Sequence, residues 1–372
     1  MSRLFSNFRL AQMEFPNRIV VAPMCQHMAE HGIATDWHLI HWGSLALSGA
    51  GLVMIEATGV EMEGRISPNC LSLDSDASEK AMGRMLEVAR RYGDSRFGLQ
   101  LSHAGRKGST VTGSSGRQAL TAAEGAWPTV GPSAIAVAEG WPVPKAADRE
   151  DLKRIREAFA SAARRALAID MDVIELHAAH GYLLHQFLSP VSNQRSDAYG
   201  GSPEARMRYP LEIFDAVREV WPSERPLGVR ITGRDWYPGG LEPEDAVQFA
   251  TALQERGCDF VDVTTGAIRL DARPPQIHPG YQAEYARKVK AETGIPTFAV
   301  GMINTAELAE ELLAAGDADF ICLARGFLDD PRWPWHAAEA LGDTIAYPPA
   351  YDRCHPRLWP ATETAIRNRK LA

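Results

Sequence analysis

The stretch Val173–Arg206, VIELHAAHGYLLHQFLSPVSNQRSDAYGGSPEAR, decides how the rest of the chain is read. It opens as a strand, with Val173, Ile174 and Leu176 apolar, and sets His177, His180 and Tyr182 where that strand should end. Polar side chains at the end of an apolar strand need a reason, because burying them unpaired costs about 2–7 kcal/mol. Residues three apart on a continued strand face opposite sides. His177 and His180 therefore converge only if the chain turns just after His177, and Gly181 makes such a turn easy. A polar cluster at the mouth of a parallel sheet is where α/β proteins place their chemistry.

Outward from this stretch, eight apolar runs of strand length recur: Arg18–Met24, Gly51–Val60, Arg96–His103, Asp172–His180, Pro226–Thr232, Phe260–Gly266, Pro296–Gly301 and Phe320–Phe327. They are rich in Val, Ile, Phe and Leu. Between them, Ala77–Arg91, Arg149–Ile169, Pro203–Val220, Pro243–Arg256, Tyr281–Glu292 and Thr305–Ala315 carry apolar residues three and four apart, which predicts helices. Asp148, Ser202, Glu242 and Asn304 stand where helices begin, as N-caps or first-turn negative charge. Gly93, Gly257, Gly294 and Gly316 follow helices, where a left-handed residue is wanted. Strand–helix alternation with near-continuous apolar strands means a parallel sheet covered by helices. Eight such units predict the α/β class, a closed (β/α)8 TIM barrel, with residues 1–372 as a single domain. The Gly/Ser/Pro-rich stretch 105–147 after strand three is expected to fold over the barrel mouth as a capping insertion.

Composition narrows the function. The chain has 372 residues, 45% hydrophobic and 23% charged, with a net charge of −8. Without a basic block to neutralise phosphates, nucleic acid is not an expected partner. No apolar run reaches the length of about 18 residues needed for a membrane span, and MSRLFSNFRLAQMEF lacks a signal peptide's apolar core. The five cysteines are far apart with no CxxC pair. No metal or iron–sulfur site is expected, and a reduced, cytoplasmic setting fits.

In a barrel of this type the site is built from the carboxyl ends of the strands. Strand one supplies Pro23, Met24, Cys25, Gln26 and His27. Strand two supplies Ala57 and Thr58. Strand three supplies Gln100, His103, Arg106 and Lys107. Strand four gives His177, His180 and Tyr182, and strand five carries Arg230. Strand seven ends at Gly301, and strand eight gives Ala324 and Arg325. The last two strands are where barrels commonly hold a phosphate, and Arg325 has the fork to clamp one. Arg230 lies inside the barrel by alternation, with Glu175 as a candidate partner, and a cation there stabilises negative charge on a bound ring.

Together these residues resemble the Old Yellow Enzyme family of FMN-dependent ene-reductases, from Asn17 through Trp333. The resemblance rests on PNRIVVAPMCQ, EATGV, LQLSHAGRK, ELHAAHGYLLHQFLSP, NQRSDAYGGSPEARMRYPLE and LARGFLDDP. MCQ and HAGRK are similar to the thermophilic-like bacterial subgroup, the xenobiotic reductase or NADPH dehydrogenase type. The resemblance implies FMN across the barrel mouth, with NADPH or NADH as reductant. It implies Pro23, Met24, Cys25, Ala57 and Gln100 against the flavin ring, Arg230 facing its N1/O2 edge, and Gly301, Ala324 and Arg325 on the phosphate. His177 and His180 would hold a substrate carbonyl, and Tyr182 would protonate its alpha carbon. The implied substrate is a small activated alkene.

Two positions depart from the pattern. The subgroup usually has tyrosine where this chain has His27, which is expected to line the substrate pocket. Ala350-Tyr351-Asp352-Arg353 is similar to the segment whose arginine enters a neighbouring subunit, making Arg353 a substrate-contacting candidate in a homodimer or homotetramer. Here the chain runs on, and residues 343–372 form the C-terminal segment. An alternative is an FMN-dependent reductase of an acyl-CoA or aromatic intermediate, related to aminobenzoyl-CoA monooxygenase/reductase. It would want a basic patch for CoA phosphates, for which Arg106, Lys107, Arg117 and Lys145 are the candidates. An amine dehydrogenase would need a cysteine-ligated cluster, and a flavin-binding sensor would need no proton donor.

Overall fold

In a computed structural model, which describes residues 1–113, 117–274, 276–362 and 364, the eight apolar runs form a closed parallel barrel. Its strands are β1 (Ile19–Val21), β2 (Leu52–Gly59), β3 (Arg96–Ser102), β4 (Val173–Ala178), β5 (Leu227–Thr232), β6 (Phe260–Thr264), β7 (Thr297–Ala299) and β8 (Phe320–Leu323). Each pairs with the next, and β8 closes on β1 with Ile321 opposite Ile19. Outward residues such as Ile55, Leu99, Ile174, Val229 and Val261 pack against the surrounding helices in one large core. Among the described residues, no helix is long and apolar enough to cross a membrane.

The barrel interior is layered. At its amino end, an antiparallel hairpin (Phe8–Leu10 with Met13–Phe15) presses Leu10 and Phe15 onto Val20, Leu52, Val173, Phe260, Phe298 and Phe320. Phe260 and Phe298 stack with ring centroids 4.4 Å apart, and Phe320 meets Phe15 edge-on at 5.7 Å. Gly228 leaves room for that stack, since a Cβ there would lie 2.3 Å from the Phe260 ring. Two residues further along β3, β4, β5 and β6 the interior turns polar, with Gln100, Glu175, Arg230 and Asp262 all buried, while Ala22, Met54, Val300 and Cys322 keep the other four strands apolar. His177 and Thr264 follow at the carboxyl end. The alternation of period two therefore carries an apolar plug, a charged middle and a polar mouth on the same strands.

The predicted helices form, with ends shifted by at most two residues: Asp76–Tyr92, Arg149–Ala168, Pro203–Val220, Pro243–Gln254, Ala283–Thr293 and Ala306–Ala315. Asp148 caps its helix by accepting from the Glu150 and Asp151 amides, and Ser202 accepts from Ala205. Thr305, not Asn304, caps the helix after β7, accepting from the Leu308 amide. Gly93 is extended rather than left-handed; a Cβ there would lie 2.3 Å from the Ala46 carbonyl oxygen, so close approach explains the glycine. Two helices had no clear periodic signal, Asp36–Ala46 and Trp333–Leu341. Both carry tryptophans on more than one face, and Gly43 or Pro334 breaks the pattern.

The described residues of the stretch 105–147 are mostly irregular, with two single 3-10 turns and a short parallel bridge, Val130–Gly131 with Lys145–Ala146. The stretch is tied to the loops that follow β2, β4 and β6. Trp127 donates to the Glu63 carbonyl (3.0 Å), Arg195 to the Pro132 carbonyl (2.9 Å), and Arg106 to the Ile268 carbonyl (2.8 Å). The C-terminal segment packs Tyr347 on Trp335 with centroids 4.0 Å apart, and Arg332 lies over both Trp335 and Tyr351. Positions 114–116 of the insertion, and 363 and 365–372 of the C-terminal segment, lie outside the described residues.

Candidate active site

The turn after β4 does what the spacing required. His180 and Gly181 both have positive φ, 57° and 74°. The reversal brings the His180 and His177 rings together, with centroids 5.2 Å apart and planes at 86°. Gly181 is obligatory there, because a Cβ would sit 2.2 Å from the Ala267 carbonyl oxygen. Tyr182 follows and meets the His177 ring edge-on at 4.8 Å.

A hydrogen-bond relay fixes the tautomers of both histidines. The Ala179 amide donates to His177 Nδ1 (3.3 Å), which leaves the proton on Nε2. His177 Nε2 then donates to His180 Nδ1 (3.3 Å), and His180 Nε2 donates to Thr264 Oγ1 (3.1 Å). The Thr264 hydroxyl in turn donates to Gln282 Oε1 (2.9 Å). Burial, reinforced by the Arg230 charge, holds both histidines well below the ordinary imidazole range, so they are neutral at pH 7. Burial also drives the Tyr182 phenol above its ordinary range and keeps it protonated. Lys107 lies over the Tyr182 ring, 5.1 Å from its centroid, and donates to the His180 carbonyl (2.6 Å). Its own burial, with the neighbouring Arg106 charge, pushes the Lys107 amine down to about 7.

Beside this cluster opens a cavity of about 680 Å³, bordered by His180, Arg230, Gly301, Ala324 and Arg325. Cofactor pockets fall in the range of about 300–1,000 Å³. Arg230 pairs with Asp262 (Nε to Oδ2, 3.0 Å), its register partner on β6. The suggested pairing with Glu175 gives way to this one. Glu175 instead accepts from Gln100 Nε2 (2.7 Å), and burial, then the Asp262 charge, pushes its carboxyl up to about 8.

A sequence profile of the NADH:flavin oxidoreductase / NADH oxidase family matches residues 3–344. The chain belongs to this family. An NADPH dehydrogenase of Geobacillus thermodenitrificans (strain NG80-2) is 41% identical over 355 residues, covering 94% of this chain and 98% of that one. The Old Yellow Enzyme assignment, of the bacterial NADPH dehydrogenase type, rests on these two matches. Among solved structures, morphinone reductase matches with a TM-score of 0.77 and 26% identity over 94% of this chain and 92% of that one. A 2-naphthoyl-CoA reductase shares the fold, with a TM-score of 0.81 at 21% identity, covering 92% of this chain and 52% of that one. The protein is thus an NAD(P)H-dependent flavin oxidoreductase, with FMN as cofactor and a reduced nicotinamide as reductant.

The cavity fits such a cofactor. Its lining includes a buried cation, Arg230, an exposed one, Arg325, and two glycines, Gly301 and Gly326. Gly301 has φ of 113°, and a Cβ on it would press Gln282 at 3.0 Å. Ring edge and phosphate each carry partial or full negative charge, so two cations and side-chain-free backbone in one lining match the ligand's polarity.

The other singled-out residues flank this space. Ala22 borders the cavity, while Pro23, Met24, Cys25 and His27 continue beyond it on the part-exposed loop after β1. Ala57 and Gln100 are buried in β2 and β3. Cys25 and Tyr182 pack together around Ile66, Cys70 and Ala104. Arg353 is exposed on the turn Pro349–Cys354, away from its own chain's cavity. The sequence reading missed Thr264, Gln282, Asp262 and Cys70. Asp262 had a signal, a carboxylate inside the apolar strand FVDVT. Cys70 had none, because its contact with Cys25 joins two loops 45 residues apart.

Proposed function

We propose that this flavin oxidoreductase reduces the activated C=C bond of small alpha,beta-unsaturated carbonyl or nitro compounds. FMN, when bound, would supply the two-electron chemistry that links the nicotinamide's hydride to the alkene's beta carbon. The observation that carries the reading is the His177–His180 pair, with the half-buried Tyr182 phenol beside it and His180 bordering the cavity. A substrate oxygen takes the His177 Nε2 proton bond now given to His180. It receives a second donor when the His180 ring turns or releases Thr264. Both donors aim at charge that grows as the beta carbon is attacked. Tyr182 delivers its proton to the alpha carbon. Arg230 would oppose negative charge on the flavin ring, which Pro23, Met24, Cys25, Ala57 and Gln100 would hold. Gly301, Ala324 and Arg325 hold the phosphate, and His27 lines the substrate side.

The insertion 105–147 acts as the cap over this site, which its bonds to the loops after β2, β4 and β6 support. Three of its four basic candidates for CoA phosphates are committed elsewhere, while Arg117 stays exposed. Arg106 donates to the Ile135 and Ile268 carbonyls, Lys107 is buried, and Lys145 is engaged by Asp148 and Asp151. That distribution favours a small substrate over an acyl-CoA. The proposed setting is a cytoplasmic homodimer or homotetramer in which Arg353 enters the neighbouring site. Sedimentation of the active enzyme at the mass of one chain would remove that part.

The test is anaerobic stopped-flow on the yellow holoenzyme. It should bleach with NADPH or NADH and regain colour with 2-cyclohexenone or N-methylmaleimide. Reoxidation by oxygen alone would sink the alkene reading. Tyr182→Phe is expected to slow the alkene step by about 10²-fold while the nicotinamide step is little changed. Since burial keeps the two histidines neutral, the alkene step shows no acid limb at the ordinary imidazole pKa of about 6.5. The Lys107 cation over the Tyr182 ring stabilises developing phenolate. The alkene step should therefore fall as pH rises through about 7, where Lys107 loses its proton. Lys107→Met should flatten that profile; an unchanged inflection would assign it elsewhere.

A further inference from the structure

Two loops meet beside the flavin site through sulfur. Cys25 lies on the loop after β1, and Cys70 on the loop after β2. Cys70 is almost fully buried, yet two polar groups and a second cysteine converge on it. His27 Nδ1 lies 3.4 Å and Ser67 Oγ 3.3 Å from its sulfur, and Cys25 packs against the cluster it forms with Ile66 and Ala104. His27 Nδ1 and Ser67 Oγ are themselves 2.9 Å apart, so the cluster is closed. Two cysteines that merely fill space would not need an imidazole and a hydroxyl aimed at one sulfur. The donors hold Cys70 well below the usual thiol range, and the proton it borrows keeps Cys25 above it. The same contact raises His27. A thiol whose hydrogen-bond partners favour its thiolate, with a second cysteine packed against the same cluster, is an arrangement that favours exchange at sulfur.

We propose that Cys25 and Cys70 form a reversible redox pair, closed to a disulfide by hydroperoxides at the rim of the flavin site. Cys25, the more exposed of the two, passes its proton to Cys70 and, as thiolate, takes the distal oxygen of the hydroperoxide. Cys25 becomes a sulfenic acid, and the alkoxide released takes the proton back from Cys70 and leaves as an alcohol, or as water from hydrogen peroxide. The Cys70 thiolate then attacks the Cys25 sulfur, the S–O bond breaks, and the hydroxide takes the His27 proton and leaves as water. In sum, two thiols give up two electrons and two protons, and one hydroperoxide becomes an alcohol and water. The bond ties the loop after β1 to the loop after β2. It also strips His27 of its thiolate partner. The covalent step does not depend on which alkene the enzyme reduces.

The experiment uses the full-length holoenzyme in a Cys354→Ser background, which removes the one exposed cysteine. Four of the five thiols then remain, and Cys258 and Cys322 are buried in the barrel. After graded hydrogen peroxide, free thiols are alkylated and the digest is mapped by mass spectrometry. Alkylatable thiols should fall from four to two. A peptide joining Cys25 to Cys70, lighter by two hydrogen atoms, should appear and vanish with dithiothreitol. Cys70→Ser should abolish the joined peptide and let Cys25 run on to sulfinic acid. The proposal is overturned if wild-type Cys25 reaches sulfinic acid with no joined peptide, or if both thiols stay alkylatable after the flavin site loses activity to peroxide.

Discussion

Replacing both His177 and His180 by alanine is expected to slow alkene reduction by about 10³-fold, since one donor at a developing oxyanion is worth about 10²–10³. Reduction by the nicotinamide should stay within about tenfold of the native rate, because it generates no new oxyanion for these donors to meet. The two sites are not equal. His177 is pinned through Nδ1 by the Ala179 amide, so its Nε2 proton already points outward from the ring. His180 is held only through side chains, at Thr264 and at His177 itself. Of the single variants, His177→Ala should therefore lose more, and His177→Asn should recover part of the loss by restoring a donor. Separate anaerobic measurement of the two half-reactions decides it. Equal losses in both would mean the histidines only hold the shape of the pocket.

Arg230→Met is expected to destabilise the fold by about 3–5 kcal/mol, the usual result of removing one partner from a buried ion pair. The substitution leaves Asp262 without its counter-ion and Glu175 without the nearby charge that offsets burial. The pH dependence gives a sharper signature. Burial raises the folded-state pKa of both carboxyl groups. Their stability contribution is thus fully present below the unfolded carboxylate range, near pH 4, and is lost as pH rises through the folded value, about 8 for Glu175. Without Arg230 those folded values climb further, so the variant's deficit should grow from pH 5 to pH 9. Urea denaturation at both pH values measures it. Arg230→Met with Asp262→Leu should recover much of the loss. A deficit that is small and independent of pH would mean the carboxyl groups are already neutral in the native protein.

The barrel was legible because each strand announces itself by apolar alternation over a few residues. The cluster at the end of β4 was legible because its residues are neighbours in the chain. Arg230 could be placed inside the barrel from period two alone, but its partner could not. Asp262 and Glu175 stand on either side of it, and strand register, not sequence spacing, decides between them. Thr264 and Gln282 escaped notice for the same reason, since the relay runs across strands. The helix Asp36–Ala46 was missed because one position of its buried stripe, His38, Trp42, Leu45 and Ala46, is a histidine, which pairs with Glu56.

The seam between β1 and β8 has a consequence for how the protein is made. On a ribosome, the N-terminal hairpin and β1 emerge first, yet the edge of β1 that takes Ile321, Cys322 and Leu323 stays open until some three hundred further residues have been synthesised. At about 5–20 residues per second that is an exposure of tens of seconds. Phe15 and Val20 wait through it without Phe320, the ring that completes the plug. Nascent chains halted before Phe320 are thus the ones expected to need a chaperone.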